Sequence, residues 1–263
     1  MRVGTALPQR ALSPSVVDVA RECEDLGYAS VSVYDHLVPL GAPAGTPVLE
    51  AFSTLAAVAA ATSEIGLRTL VVRAPMRPPF MTAHLVRTLH ALSGGRFVLG
   101  LGTGDASSAR EDALLGMPHL GGPARREALR ITVSAVREAV PDLRIWVGGN
   151  GDLTRALAAD VADAWNCWAL LPEEIPRLPV EVTWGGQVVL GSTAADAAER
   201  VAAWSPGRDP SERERALSGT PDDVAARLHA LRDAGVSEAV VAFVGGDADD
   251  QRRVFAREVL PLL

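Results

Sequence analysis

Apolar positions along the chain alternate between two rhythms. Short, nearly unbroken apolar runs recur at residues 3–7, 31–36, 65–72, 97–101, 144–150, 164–168, 182–190 and 239–244. Runs of this length, bounded by glycine or polar turns, are what strands buried on both faces of a parallel sheet require. Between them the apolar residues return every three or four positions. Val16, Val17, Ala20, Cys23 and Leu26 predict a helix capped by Ser13 and stopped at Gly27. The same period predicts helices near residues 50–62, 80–92, 108–115, 124–140, 153–160, 194–204 and 252–262, and one that starts at Thr220-Pro-Asp-Asp223 with Thr as cap and Pro in the first turn.

Three stretches depart from the rhythm. A loop carrying Pro39, Gly41, Pro43, Gly45 and Pro47 precedes the second helix, and the helical piece at residues 172–178 is unusually short. Residues 205–215 are charged and broken by proline, which predicts an exposed connection. Eight strand-then-helix repeats with otherwise short links predict an α/β fold, a (β/α)8 TIM barrel forming one domain over residues 1–263, shortened after the sixth strand.

Composition narrows the function classes. The net charge of −7 argues against a general surface for nucleic acid or anionic membrane. All 25 basic residues are arginine, so Schiff-base chemistry and a lysine base are excluded. Cys23 and Cys167 belong to no spaced metal or disulfide pattern and fit a reducing cytoplasm as small buried apolar residues. No secretory signal is visible, and the alanine-rich run from residue 51 to 61 is too short to span a bilayer.

In a barrel of this kind chemistry gathers where strands end and helices have not begun. The most suggestive end is Gly100-Leu-Gly-Thr-Gly-Asp105. Gly100, Gly102 and Gly104 leave the backbone bare beside Thr103, a turn suited to a phosphate. The place where a dinucleotide fingerprint wants its third glycine holds Asp105, so the Rossmann reading weakens. Asp105 can cap the next helix or, because Ser108-Ala-Arg-Glu111 forms a capping box of its own, stand free on the loop. Asp35-His36 ends the second strand. His84, His90, His119 and His229 do not converge and read as surface residues; no pair has metal-ligand spacing, so no metal site is expected. Arg73 and Arg77 could meet an anionic ligand, or at least one is simply solvated.

Taken together, Val33-Tyr-Asp-His-Leu37, Ile65-Gly-Leu-Arg-Thr-Leu-Val71, Leu92-Ser-Gly-Gly-Arg-Phe-Val-Leu-Gly-Leu-Gly-Thr-Gly104 and Ile145-Trp-Val-Gly-Gly-Asn-Gly151 resemble the luciferase-like flavin and deazaflavin oxidoreductases. The likeness covers most of residues 1–170 and returns at 218–244. It implies a (β/α)8 barrel, commonly a homodimer, that binds FMN or coenzyme F420 at the C-terminal rim. Gly-Thr-Gly followed by an acid, with Asp-His closing strand two, is most similar to the deazaflavin-dependent dehydrogenases. That implies hydride transfer between F420 and a small organic substrate, either an alcohol/carbonyl pair or an activated double bond.

On this resemblance His36 would take or return the substrate proton, as imidazole suits near neutral pH. Asp35 would hydrogen-bond the cofactor ring or orient its neighbour, and Asp105 would stand for the branch's glutamate acid with a shorter reach. Leu70-Val71 matches the position of a bulged non-prolyl cis peptide that supports the ring. Gly148, Gly149 and Asn150 match a second turn on the phosphate tail. Read without the family, Asp35-His36 is a polar strand end and residues 148–150 a glycine turn. The sugar-phosphate branch carries a tryptophan shortly after Asp-His where this chain has Pro39-Leu40, so that substrate is not assigned. An FMN-dependent luciferase-like monooxygenase and a flavin-binding barrel without turnover are the alternatives.

Overall fold

The computed structural model describes residues 1–9, 15–38, 46–104, 108–204, 210–245 and 247–263. The chain begins with β1 (Arg2–Ala6), α1 (Val16–Asp25), β2 (Ser30–Val33), α2 (Ala51–Ala61), β3 (Gly66–Thr69), β4 (Val72–Arg73), α3 (Pro79–Leu92) and β5 (Phe97–Gly102). It continues with α4 (Ser108–Leu114), α5 (Gly122–Ala139), β6 (Ile145–Gly148), α6 (Asp152–Val161), β7 (Ala164–Trp168) and β8 (Glu181–Leu190). The last elements are α7 (Ala194–Trp204), α8 (Pro210–Arg215), β9 (Leu217–Gly219), α9 (Pro221–Asp233), β10 (Val236–Phe243) and α10 (Ala248–Glu258).

Every strand pairing is parallel, and β10 closes the ring by pairing with both β1 (Val3 opposite Ala239) and β8 (Ala239 opposite Trp184). The closed barrel therefore runs β1, β2, β3, β5, β6, β7, β8, β10, the (β/α)8 architecture expected. Burial on both faces explains the unbroken runs: all six residues of β5 are buried. Outside the barrel the amphipathic helices close the core, as in α1, where Val16, Val19, Ala20 and Cys23 face inward. Trp146, Trp165 and Trp184 are the largest fully buried side chains. Among the described residues no helix is long and apolar enough to cross a membrane.

Several local expectations need correction. The third strand is interrupted after Thr69, where the Leu70–Val71 peptide is cis, and resumes as β4 against Leu101 and Gly102. Ser13 lies outside the described residues, as do 39–45, 105–107, 205–209 and Gly246; Ser15 caps α1, its hydroxyl accepting the Val17 N–H. The connection at 205–215 contains helix α8, and β9 adds a strand beside the far end of β8 that short-range pattern does not reveal. The final helix starts earlier, at Ala248, because Asp247 caps it.

The piece after β7 is only a 3-10 turn, Pro172–Glu174. A salt bridge holds this short link: Arg215 donates Nη1 to Glu174 Oε2 at 2.5 Å and Nη2 to Oε1 at 2.7 Å, and also reaches the Ala169 carbonyl at 3.1 Å. The Arg215 hydrogen bonds, with the Leu171 N–H, draw the Glu174 carboxyl down to about 2.

Two measurements test this packing. A Cβ at Gly100 would lie 2.1 Å from the Thr69 carbonyl oxygen, so Gly100→Ala should cost about 1–3 kcal/mol through overpacking, read as a lower urea midpoint. The Glu174 carboxyl carbon should titrate at about 2 by NMR. Because the folded value is depressed, its stabilisation is present above the ordinary glutamate range and disappears as pH falls through about 2. Arg215→Ala should return the midpoint towards the ordinary range.

Candidate active site

The C-terminal ends of β2, β3, β4, β5 and β6 bring the expected residues to one rim. Asp35 and His36 leave the barrel just past β2, but their side chains diverge. Asp35 is fully buried at its side chain, where Arg77 grips both oxygens at 2.8 Å and the Arg73 backbone N–H adds a third bond at 3.0 Å. Both Asp35 oxygens therefore have a partner among the described residues. Arg77 also reaches Glu50 Oε1 at 3.0 Å and lies over the Phe52 ring. Burial would raise the Glu50 carboxyl, but N–H groups at Ser53 and Phe52 and the charge of Arg77 outweigh it and hold the group below the ordinary range.

His36 keeps about a quarter of its side chain exposed. Its Nδ1 lies 2.9 Å from Glu111 Oε2. One ring nitrogen is thus tethered, and Nε2 has no hydrogen-bond partner among the described residues. Glu111, read from sequence as the acid of a capping box, instead reaches across to the β2 loop. Its Oε1 accepts the Leu37 and Val38 N–H groups at 2.6 and 3.3 Å, and its Oε2 lies 3.1 Å from Arg73 Nη2. The next residue, Asp112, takes Arg73 Nη1 at 2.9 Å and His119 Nδ1 at 2.8 Å. His119, expected merely on the surface, is exposed but tied into this cluster. Of Arg73 and Arg77, at least one of which was expected to be solvated, the first is buried and the second partly buried, and both are paired.

The glycines serve two purposes. A Cβ at Gly102 would come within 2.5 Å of Val71 Cγ2, and one at Gly148 within 2.9 Å of Val71 Cγ1. The bare wall of β5 and β6 thus admits the Val71 side chain rather than a ligand. Gly104 differs: its φ of +71° is a conformation glycine adopts without strain, beside Thr103, and a Cβ there would lie 3.2 Å from Ser108 Oγ. Gly149, at φ +136°, carries the chain into α6, which no side chain caps. Asn150 is spent on the backbone of Trp168, donating to its carbonyl at 2.8 Å and accepting its N–H at 2.9 Å. Asp105 lies outside the described residues.

Over the barrel interior, Leu70 packs with Val98, Trp146, Ala164 and Val240, and the half-buried Tyr34, Val71 and Trp168 close on that cluster. Tyr34 and Trp168 meet edge to face at 6.2 Å, and the indole of Trp168 lies where a Cβ on Gly185 would be. Gln9 fixes Tyr34 by pairing its amide with the backbone at 2.5 and 2.8 Å. Burial pushes the Tyr34 phenol well above its usual value. Tyr34, Trp168, Gln9 and Glu111 were all missed as site residues. Tyr34 adjoins the Asp-His pair and carried a local signal; Glu111 carried none that distinguishes it from a cap. Among the described residues no cluster of His, Cys, Asp or Glu is arranged to hold a metal ion.

Comparison with known proteins gives this geometry a setting. The profile of a family described as luciferase-like monooxygenase matches residues 1–214. An F420-dependent glucose-6-phosphate dehydrogenase of Intrasporangium calvum is 31% identical over 191 residues, which are 72% of this chain and 54% of that protein. The chain spans about half the length of the curated relatives it matches first. Among solved structures, an F420-dependent secondary alcohol dehydrogenase in complex with an F420-acetone adduct superposes with TM-score 0.83 at 17% identity, covering 99% of this chain and 98% of the other. A monooxygenase, RslO1 from Streptomyces bottropensis, superposes with TM-score 0.75 at 16% identity and 99% coverage of both chains. At these identities the superpositions establish the shared fold.

The Asp35–Arg77 pair can be tested directly. Removing one partner of a buried ion pair strands the other, so Arg77→Ala should destabilise the protein by about 3–5 kcal/mol in urea unfolding. Arg77→Lys should recover only part of the loss because it lacks the two-pronged fork.

Proposed function

The chain belongs to the luciferase-like monooxygenase family, and from that membership and the geometry of its rim we propose that it is an F420-dependent oxidoreductase, which transfers a hydride between the deazaflavin and a small alcohol or carbonyl, or an activated double bond. The observation that carries this reading is His36: a partly exposed imidazole at the mouth, tethered through Nδ1, with Nε2 unpaired among the described residues. Tethering one nitrogen while leaving the other open is what a general base or acid needs. The F420-dependent relative at 31% identity supports the choice of cofactor.

The residues present fit such a cofactor in two respects. Val71, Tyr34 and Trp168 offer a half-buried apolar surface for a planar ring system, supported from below by Leu70. Gly104, in its left-handed conformation beside Thr103, offers bare backbone for a phosphate. When bound, the deazaflavin supplies a two-electron acceptor or donor for hydride. The chain's own part is to hold the substrate oxygen near His36 Nε2. As an alcohol is oxidised, the O–H bond breaks, its electron pair stays on the oxygen that becomes a carbonyl, and the proton passes to Nε2. In reduction the same nitrogen returns it. The apolar mouth keeps water from competing. The same reading has a homodimer act on a small molecule in the cytoplasm; the buried free thiols of Cys23 and Cys167, both pushed up to about 12 by burial, suit a reducing compartment.

Fluorescence titration with F420 and FMN side by side tests the cofactor: F420 should bind at least about tenfold more tightly, a difference of about 1.4 kcal/mol. A clear preference for FMN would replace the proposal with the FMN-dependent monooxygenase, and binding of F420 without turnover on any alcohol, carbonyl or enone would leave a binding barrel. His36→Ala should keep F420 affinity and lose about 10²–10⁴ in kcat; unchanged turnover would remove His36 from the mechanism.

A further inference from the structure

Glu111 is 2% exposed, and its polar contacts run to the three-residue segment that carries His36 and to Arg73. We propose that Glu111 is the positioning residue of the site: it holds the neutral His36 imidazole as the Nδ1–H tautomer and so makes Nε2 the nitrogen that exchanges the substrate proton. The proposal rests on His36 being the proton relay.

The argument is one of donors and acceptors. A carboxylate accepts hydrogen bonds and donates none, so the proton between Glu111 Oε2 and His36 Nδ1, 2.9 Å apart, belongs to the imidazole. Once that proton is fixed on Nδ1, neutral imidazole has its lone pair on Nε2. The second carboxylate oxygen is occupied by the backbone of Leu37 and Val38, so Glu111 cannot rotate without releasing the loop that bears His36. Arg73 braces the same carboxylate at 3.1 Å and is itself pinned by Asp112. Tautomer, ring direction and loop position are therefore set together by one buried group, as they are where a carboxylate orients a catalytic or metal-bound histidine. During alcohol oxidation Nε2 gains the substrate proton while Nδ1 keeps its own, and the cation formed lies against Glu111.

A purely structural role, in which Glu111 only pins the loop, predicts something different, and Glu111→Gln separates the two. The glutamine carbonyl can keep the bonds from Leu37 and Val38, while its amide presents a donor to Nδ1 and forces the proton to Nε2. Nitrogen-15 NMR of the cofactor-free protein reads the tautomer directly. Wild-type His36 should show a protonated Nδ1, and E111Q a protonated Nε2, with His119 signals unchanged as evidence that α4 is intact, and a lowered thermal transition because Arg73 loses one of its two anions. With F420 bound, kcat of E111Q should fall by about 10²–10⁴ while F420 affinity is kept. A protonated Nε2 in the wild-type protein, which requires no variant, overturns the proposal, as does a flipped tautomer with full turnover. The reading of His36 as relay fails separately, through an active His36→Ala, and leaves the tautomer assignment standing.

Discussion

The rim of this barrel is organised by two guanidinium forks among largely buried carboxylates. Asp35, Glu111 and Asp112 are all buried, and Arg73, the last residue of β4, and Arg77, four residues on, meet all three. Charges taken out of water are tolerated only where partners and hydrogen bonds satisfy them, so neither arginine is free to move without stranding an acid. Because Arg73 also binds Asp35 through its backbone, the loop after β2, the break in β3 and helix α4 are locked to one another. The position of His36 follows from that lock. A chain with no lysine has only arginine for this task, and the planar fork suits it.

Around this lattice the mouth is shaped by what is missing. Glycines at 100, 102 and 148 strip one wall to backbone, and the interruption at Leu70–Val71 turns Val71 into the space they leave. From the end of β7, Trp168 spreads across Gly185 and meets Tyr34. The mouth is thus apolar at the sides, polar at His36, and open to bare backbone at Gly104. That division of labour is what a planar redox cofactor with an anionic tail and a proton-exchanging substrate would use.

Much of the scaffold was legible in the sequence because parallel barrel strands bury both faces and their helices bury one, two patterns that differ in period. Residues 97–101 and the capped start at Thr220 read correctly for that reason. Asp35-His36 was legible as a strand end, and the family likeness placed Leu70–Val71, which by pattern alone is ordinary strand. What pattern could not supply was pairing across sequence distance. Glu111 satisfies the spacing of a capping box, yet its partner is 75 residues away. Arg77 looks like any charge in a proline-rich turn until Asp35 is brought to it. The strand Leu217–Gly219 is three residues long, too short for periodicity to register. Polar contacts of this sort depend on three-dimensional proximity, which local chemistry does not encode.

The glycine wall also restricts how a protein of this kind can diverge. Most positions lining a pocket can exchange one side chain for another, and new substrate ranges arise by such drift. Here the three glycine positions cannot gain a side chain, because any that appeared at 100, 102 or 148 would collide with Thr69 or Val71. Innovation is therefore channelled to the neighbouring strand ends, where Tyr34 and Trp168 can change size and polarity while the bare wall is inherited intact.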